Sequence, residues 1–213
     1  MSMNIRRIVA YIIDIFIVSI IAGAISVSPL NPDAEKVENY RLELEEINQT
    51  YIEQVAELDE SDEELLTELI EPYRKTVKRY NYDIARNSVY EQMISIVCIT
   101  LYYVVFVYFF DSQTIGKRLM KLRVDTKDGA APSLHTLFLR TLLLFRIPIN
   151  ILTIILCFAL DVDAFYDTSA VLTIITMAYS ISLILMALGR QDHRGIHDLI
   201  SKTKIEMITK REE

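Results

Sequence analysis

Apolar and polar positions separate into long blocks along this chain. Ile8–Val27 holds one charged residue, Asp14, and stops at Ser28-Pro29. A second apolar block runs from about Tyr90 to Phe110 and ends at Asp111. A third, about Leu134–Leu160, is interrupted by Arg140, Arg146 and Pro148, and a fourth runs from Ala170 to Leu188 before Gly189-Arg190. Blocks one, two and four each approach the ~20 residues that a helix needs to cross a hydrocarbon core. In the third, Ile147–Leu160 alone is short, and adding Leu137–Arg146 completes a span. Its two arginines place the first half near the interface or inside the bundle.

Between the first two blocks the pattern changes. Val37, Tyr40, Leu44, Ile47, Tyr51, Val55 and Leu58 step by three and four, as do Leu66, Leu69, Tyr73, Val77, Tyr80 and Ile84. Ser61-Asp62-Glu63-Glu64 between the two runs is a capping-box signature for a new helix. The pattern predicts an antiparallel helical hairpin at 29–89 with a tyrosine-containing seam. Pro72 is expected to kink or restart its second arm, which then leads into block two without an intervening Gly or Pro. The expected fold class is all-α: a polytopic membrane protein with four transmembrane helices and this inserted hairpin. Residues 1–28 supply the first helix and 90–213 the rest of the membrane core.

Composition refines this picture. The chain is 52% hydrophobic with a net charge of −7, and the acidic excess collects in the hairpin segment. That balance argues against nucleic acid, which requires a basic footprint. Lys and Arg gather at the N-terminus (Arg6, Arg7), in loop 111–133 (Lys117, Arg118, Lys121, Arg123, Lys127) and in tail 189–213. The connection after block three carries Asp161, Asp163 and Asp167 and no base. The positive-inside rule places both termini and the loop in the cytoplasm and the hairpin outside, in a multi-pass protein of the cell membrane. The first block is too long for a signal-peptide core and reads as a retained anchor. Cys98 and Cys157 lie in apolar blocks and read as packing thiols. No glycine elbow or reactive-cysteine setting marks a nucleophile, so an enzyme is not expected and no cofactor is called for.

The loop sequence Thr114-Ile115-Gly116-Lys117-Arg118 lacks the upstream glycine of a phosphate-binding loop. Leu122–Asp125 reads as a short extended segment, followed by a turn at Asp128-Gly129. Taken with Arg7 and Asp14 in the first helix and His197-Asp198 near the C-terminus, this motif resembles the RDD family of small bacterial membrane proteins. Arg140 matches the arginine that opens the helix after the loop. The resemblance covers about Arg6–Ser28 and Tyr90–Ile205 and leaves the hairpin outside as an insertion. It implies a membrane protein, and some members are linked to cation–proton antiport.

The residues with chemistry to offer are Asp14, Arg140, Arg146, Arg7, Asp198 and His197, with Gly116, Lys117 and Arg118 as the loop motif. Arg7, Tyr11 and Asp14 are spaced to share one helix face. Two readings of Asp14 stay open. It binds a monovalent cation or proton in competition with Arg7, Arg140 or Arg146, or it is permanently paired with one of those arginines and fixes helix packing. His197 and Asp198 are expected to tie the tail to the foot of the bundle, against Arg7 or the Lys117-Arg118 loop. His193 and His197 have i, i+4 spacing, but Gly195 and the lack of a third ligand disfavour a metal. The leading expectation is a cation/proton antiporter or transport component, acting as a homo-oligomer or with a membrane-protein partner. The rival is a non-transporting scaffold or assembly factor whose hairpin docks a partner.

Overall fold

The computed structural model describes residues 2–58, 63–190, 192 and 194–208. The Ser61-Asp62 part of the capping-box signature and His193 lie outside them.

Helix α1 (Met3–Ser26) is capped by the Ser2 hydroxyl and extends the first apolar block at its N-terminal end. Its buried stripe is Ala10, Asp14, Val18 and Ala22, at four-residue steps. Most of its other large apolar side chains are exposed, Phe16 at 65% and Ile12 at 60%, as suits a helix whose remaining faces meet lipid. Tyr11 does not join the Asp14 stripe. It is half-exposed and stacks on Phe145.

Helices α2 (Ala34–Ala56) and α3 (Glu63–Asn87) follow. Tyr51 stacks on Tyr73 with 3.8 Å between ring centroids, Tyr40 meets Tyr80 edge-on, and Lys36 donates to Asn87. Lys36 near the start of α2 thus meets Asn87 at the end of α3. Pro72 lies inside α3, which carries through it as one helix. The second span follows with a single residue, Ser88, between α3 and α4 (Val89–Thr100). It widens into a π-helical stretch, Leu101–Phe106, before ending as α5 (Val107–Phe109). That wider turn lets three consecutive residues, Tyr102, Tyr103 and Val104, all point inward. A regular α-helix would spread them over more than half of its circumference.

The chain then turns through Asp111 and Ser112, both in left-handed backbone geometry, into the short helix α6 (Ile115–Leu119) and strand β1 (Leu122–Thr126). The extended segment and the turn at Asp128-Gly129 match the sequence reading: Gly129 has φ +83° and its N–H bonds back to Thr126. The all-α expectation needs one correction. β1 pairs antiparallel with β2 (Thr203–Met207) in the tail, Leu122 opposite Met207 and Thr126 opposite Thr203. Leu122 and Val124 are buried on the ribbon's inner face, Val124 against Val104, Val107 and Leu137.

The third block is two helices, α7 (Leu134–Leu144) and α8 (Ile147–Ala159), bent by 60°. Arg146 forms the corner in left-handed geometry, φ +54°, and Pro148 follows in the first turn of α8. The fourth helix, α9 (Val162–Gly189), starts well before Ala170. Asp161 to Asp167 had the composition of a loop, but Asp161 caps the helix by accepting from the Ala164 N–H, and Asp163 sits in its first turn. Acidic residues favour helix N-termini for this reason. Short helix α10 (Ile196–Ile200) precedes β2. By length and composition three described helices are able to cross a membrane, and a fourth span results if the bent pair is counted as one.

The Arg7–Asp198 contact and the β1–β2 ribbon gather the N-terminal end of α1, the 111–133 loop and the tail at one end of the bundle. The base of the α2–α3 pair sits at the other, where Lys78 meets Asp163 and the Tyr82 hydroxyl donates to the Leu160 carbonyl.

Candidate functional site: two buried carboxylates at the foot of the first helix

Asp14 is completely enclosed, and its partners are not arginines. Oδ1 accepts from the Tyr102 hydroxyl at 2.7 Å and from the Gly116 N–H at 2.7 Å. Oδ2 accepts from the Thr114 hydroxyl at 2.5 Å, with the Lys117 ammonium 3.7 Å away. The expected pairing with Arg140, Arg146 or Arg7 is therefore replaced by the loop motif itself, folded back onto α1. Thr114 is the hinge of this contact. As N-cap of α6 it accepts from the Lys117 N–H, and its oxygen also takes a bond from Lys117 Nζ. Tyr102 accepts in turn from the Ile115 N–H. Each of these groups around Asp14 thus has a partner, which is the condition for burying a charge at tolerable cost.

The glycine in the motif has a steric reason. A Cβ at Gly116 would lie 2.2 Å from the Ala10 carbonyl oxygen and 2.8 Å from Asp14 Oδ1. Only a residue without a side chain lets the loop backbone approach α1 closely enough to donate to the carboxylate.

The second carboxylate, Asp198, is also fully buried. Its Oδ1 accepts from Arg140 Nε at 2.9 Å and from the Thr203 hydroxyl at 3.2 Å. Its Oδ2 faces Arg7 at 3.4 Å, His197 Nε2 at 3.3 Å and the Gly195 N–H at 3.4 Å. Arg194 clamps the same turn, donating to the Asp198 and Thr203 carbonyls. One carboxylate thereby joins α1, α7, α10 and β2. The expected tie from His197-Asp198 to Arg7 is present, with Arg140 as its closest ion pair.

Electrostatics separates the two nodes. Burial by itself would raise the Asp198 carboxyl, but Arg140 and its other cationic neighbours outweigh this and hold it well below the usual carboxylate range. Burial lowers His197 below an ordinary imidazole, against the pull of Asp198. Lys117 is lowered to about 8, by burial first and then by the positive charge of Arg140, with Asp14 and Asp198 opposing. Asp14, Lys117, Arg140 and Asp198 are the buried charged side chains of the two nodes, and Arg7 reaches Asp198 from a partly buried position.

The remaining candidates stand apart. Arg146 donates to the Ser180 hydroxyl on α9, so it braces the corner between α7 and α8 and takes no part in the cluster. Arg118 is exposed on α6. Among the described residues no three His, Cys, Asp or Glu side chains come together as a metal cage.

The RDD family model matches residues 4–202, nearly the whole chain. The chain belongs to the RDD family. No curated protein and no solved structure matches it. Within this RDD chain, the arginine and the two aspartates do not form one triad. Asp14 belongs to the loop node, while Arg7 belongs with Asp198. Sequence reasoning passed over Tyr102, Thr114 and Thr203 as ligands of these nodes. Thr114 carried a signal, since Thr is among the residues preferred at a helix N-cap. Tyr102 carried none beyond a hydroxyl in an apolar block.

Proposed function

We propose that this RDD protein is a non-transporting membrane scaffold. Its charged nodes lock the spans together, and α2 and α3 form an antiparallel hairpin that docks a protein partner outside the membrane. The observation that carries this reading is the saturation of Asp14. Both oxygens already have two partners each, and the side chain has no contact with solvent. A carboxylate that alternates between ions needs an accessible face, whereas one held by three hydrogen-bond donors and an adjacent ammonium organises packing. In this reading the protein lies in the cell membrane with the N-terminus, loop 111–133 and tail 189–213 in the cytoplasm. The positive-inside bias supports that orientation. Purified protein in liposomes is expected to give no cation-driven proton flux above empty vesicles with Na⁺, K⁺ or Li⁺. Flux that disappears in Asp14→Asn would overturn the scaffold reading.

One observation favours a second reading, cation/proton antiport. Lys117 lies against Asp14 without a direct hydrogen bond, and its pKa of about 8 places its proton within reach of physiological change. A monovalent cation competing with this ammonium for Asp14 would couple its own binding to proton release. In that case flux would be present, and Lys117→Met would abolish its dependence on pH.

A further inference from the structure

Beside the Asp14 node, a groove of about 140 Å³ opens sideways between the end of the second span and α6. Phe106 and Phe110, stacked 4.1 Å apart, form one wall, and Ile115 and Leu119 form the other. Two polar residues also line it, but both are turned to partners within the protein. Gln113 Nε2 donates to the Leu122 carbonyl, and the Thr114 hydroxyl donates to Asp14. What the groove presents is therefore apolar surface with Arg118 at its rim.

We propose that this groove is a binding site for one anionic phospholipid, with part of an acyl chain between Phe106, Phe110, Ile115 and Leu119 and the head-group phosphate on Arg118. Three observations support the occupant. First, α6 is a short helix with an exposed apolar face. Ile115 and Leu119, at i and i+4, are exposed at 39% and 62%, and Arg118 is exposed beside them. An apolar face bordered by a cation is the pattern of segments that lie at the head-group level. Second, the groove is continuous with a membrane span, since Phe106 and Phe110 belong to the end of Val89–Phe109 and the residue after it. Third, charge selects the head group. Among the described residues no side chain pairs with the Arg118 guanidinium, and Lys121 is exposed close by in sequence. A guanidinium at this depth takes a phosphate oxygen more readily than an ammonium does, through paired N–H donors. Such a lipid would seal the outer side of the loop that holds Asp14.

The inference rests on the membrane-span reading of the family, and the test separates the two. The chain has no tryptophan, so a single introduced indole reports without background. Leu119→Trp places it on the groove wall, and Phe16→Trp places it on the exposed side of α1 in mid-span. Each variant is reconstituted with phosphatidylcholine or phosphatidylglycerol brominated on the acyl chain, at equal mole fraction. Phe16→Trp should be quenched equally by both lipids. Leu119→Trp should be quenched at least twofold more strongly by phosphatidylglycerol. Arg118→Glu in the Leu119→Trp background should remove the preference, while Arg118→Lys should retain part of it. Equal quenching of Leu119→Trp by the two lipids, or a preference that survives Arg118→Glu, would overturn the proposal. A Phe16→Trp indole that neither lipid quenches would remove the membrane-span reading and the lipid site with it.

Discussion

The foot of α1 and the α2–α3 pair are both dense in charge, yet they use it in opposite ways. At the foot, Asp14 and Asp198 are fully enclosed and each is held by several donors. Along α2 and α3, Arg74–Glu71 and Arg79–Asp83 are surface pairs at i, i+3 and i, i+4. A buried charge without its partner is destabilising by several kcal/mol, while an exposed pair contributes between nothing and about 1 kcal/mol. Charge therefore fixes the architecture at one end of this molecule and provides solubility at the other. What organises α2 and α3 is aromatic packing, the Tyr51–Tyr73 stack above all.

The largest effect is expected where partners are removed from a buried node. Asp14→Ala strands the Tyr102 and Thr114 hydroxyls, the Gly116 N–H and the Lys117 ammonium together, and should destabilise by roughly 3–5 kcal/mol. Gly116→Ala should follow with about 1–3 kcal/mol, because its Cβ meets the Ala10 carbonyl and pushes α6 away from α1. The two native thiols provide the readout. Cys157 is buried and Cys98 is partly buried, so a thiol-reactive dye reports thermal unfolding in detergent. If both variants melt like wild type, the clamp is not what holds the loop.

Arg140→Met should come next among the nodes, leaving Asp198 with Arg7 and neutral donors at a cost of about 3 kcal/mol. A double-mutant cycle with Asp198→Asn should show strong coupling, since Arg140 and Asp198 are 2.9 Å apart. The same cycle between Arg140 and Asp14 should show little, which distinguishes two nodes from a single triad.

Titration should divide the nodes again. Lys117 is lowered in the folded state, from 10.5 to about 8. Between those values the unfolded chain holds the proton and the folded chain does not, so stability should rise as pH increases from about 8 to 10.5. Lys117→Met should flatten that rise. His197 is also lowered, so the stability it contributes is complete above 6.5 and lost as pH falls below it. Asp198, depressed as well, adds a further loss only below its ordinary value of 3.8. A melting profile with an alkaline rise that survives Lys117→Met would contradict the assignment.

These nodes also mark where the sequence was legible and where it was not. The apolar run of α1 and the three-and-four stepping of Tyr51 and Tyr73 announced helices, because helix period is written in side-chain polarity. The importance of Asp14 followed from its solitude in an apolar run. Its partners did not follow, because a lone anion in an apolar run points by charge alone only to cations. A backbone N–H at Gly116 and hydroxyls on Tyr102 and Thr114 carry no such mark. The ribbon escaped for a different reason. Thr203–Met207 gains its strand character from Leu122–Thr126, far away in sequence, and five residues alone show no decisive alternation. At Asp161–Asp167 the misreading came from composition, since acidic residues suit both an outward loop and the first turn of a helix.

The smallest effect is expected on the α2–α3 pair, and it is the one that most directly tests the contrast. Arg79 Nε lies 2.9 Å from Asp83 Oδ2, a good contact by geometry, but the arginine side chain is 64% exposed. Water already solvates both groups, and holding two long side chains together opposes the Coulomb gain, so Arg79→Ala should shift stability by no more than about 0.5 kcal/mol. Tyr51→Ala, which removes a stacked ring, should shift it by more, about 0.5–1.5 kcal/mol. The ranking Asp14, Arg140, Tyr51, Arg79 is the sharp form of the claim, because contact distance alone would place Arg79 level with Arg140. If Arg79→Ala proves as damaging as Arg140→Met, this part of α3 is enclosed in the membrane-bound protein. Something beyond this single chain, a lipid or a second copy, would then be shielding that ion pair from water.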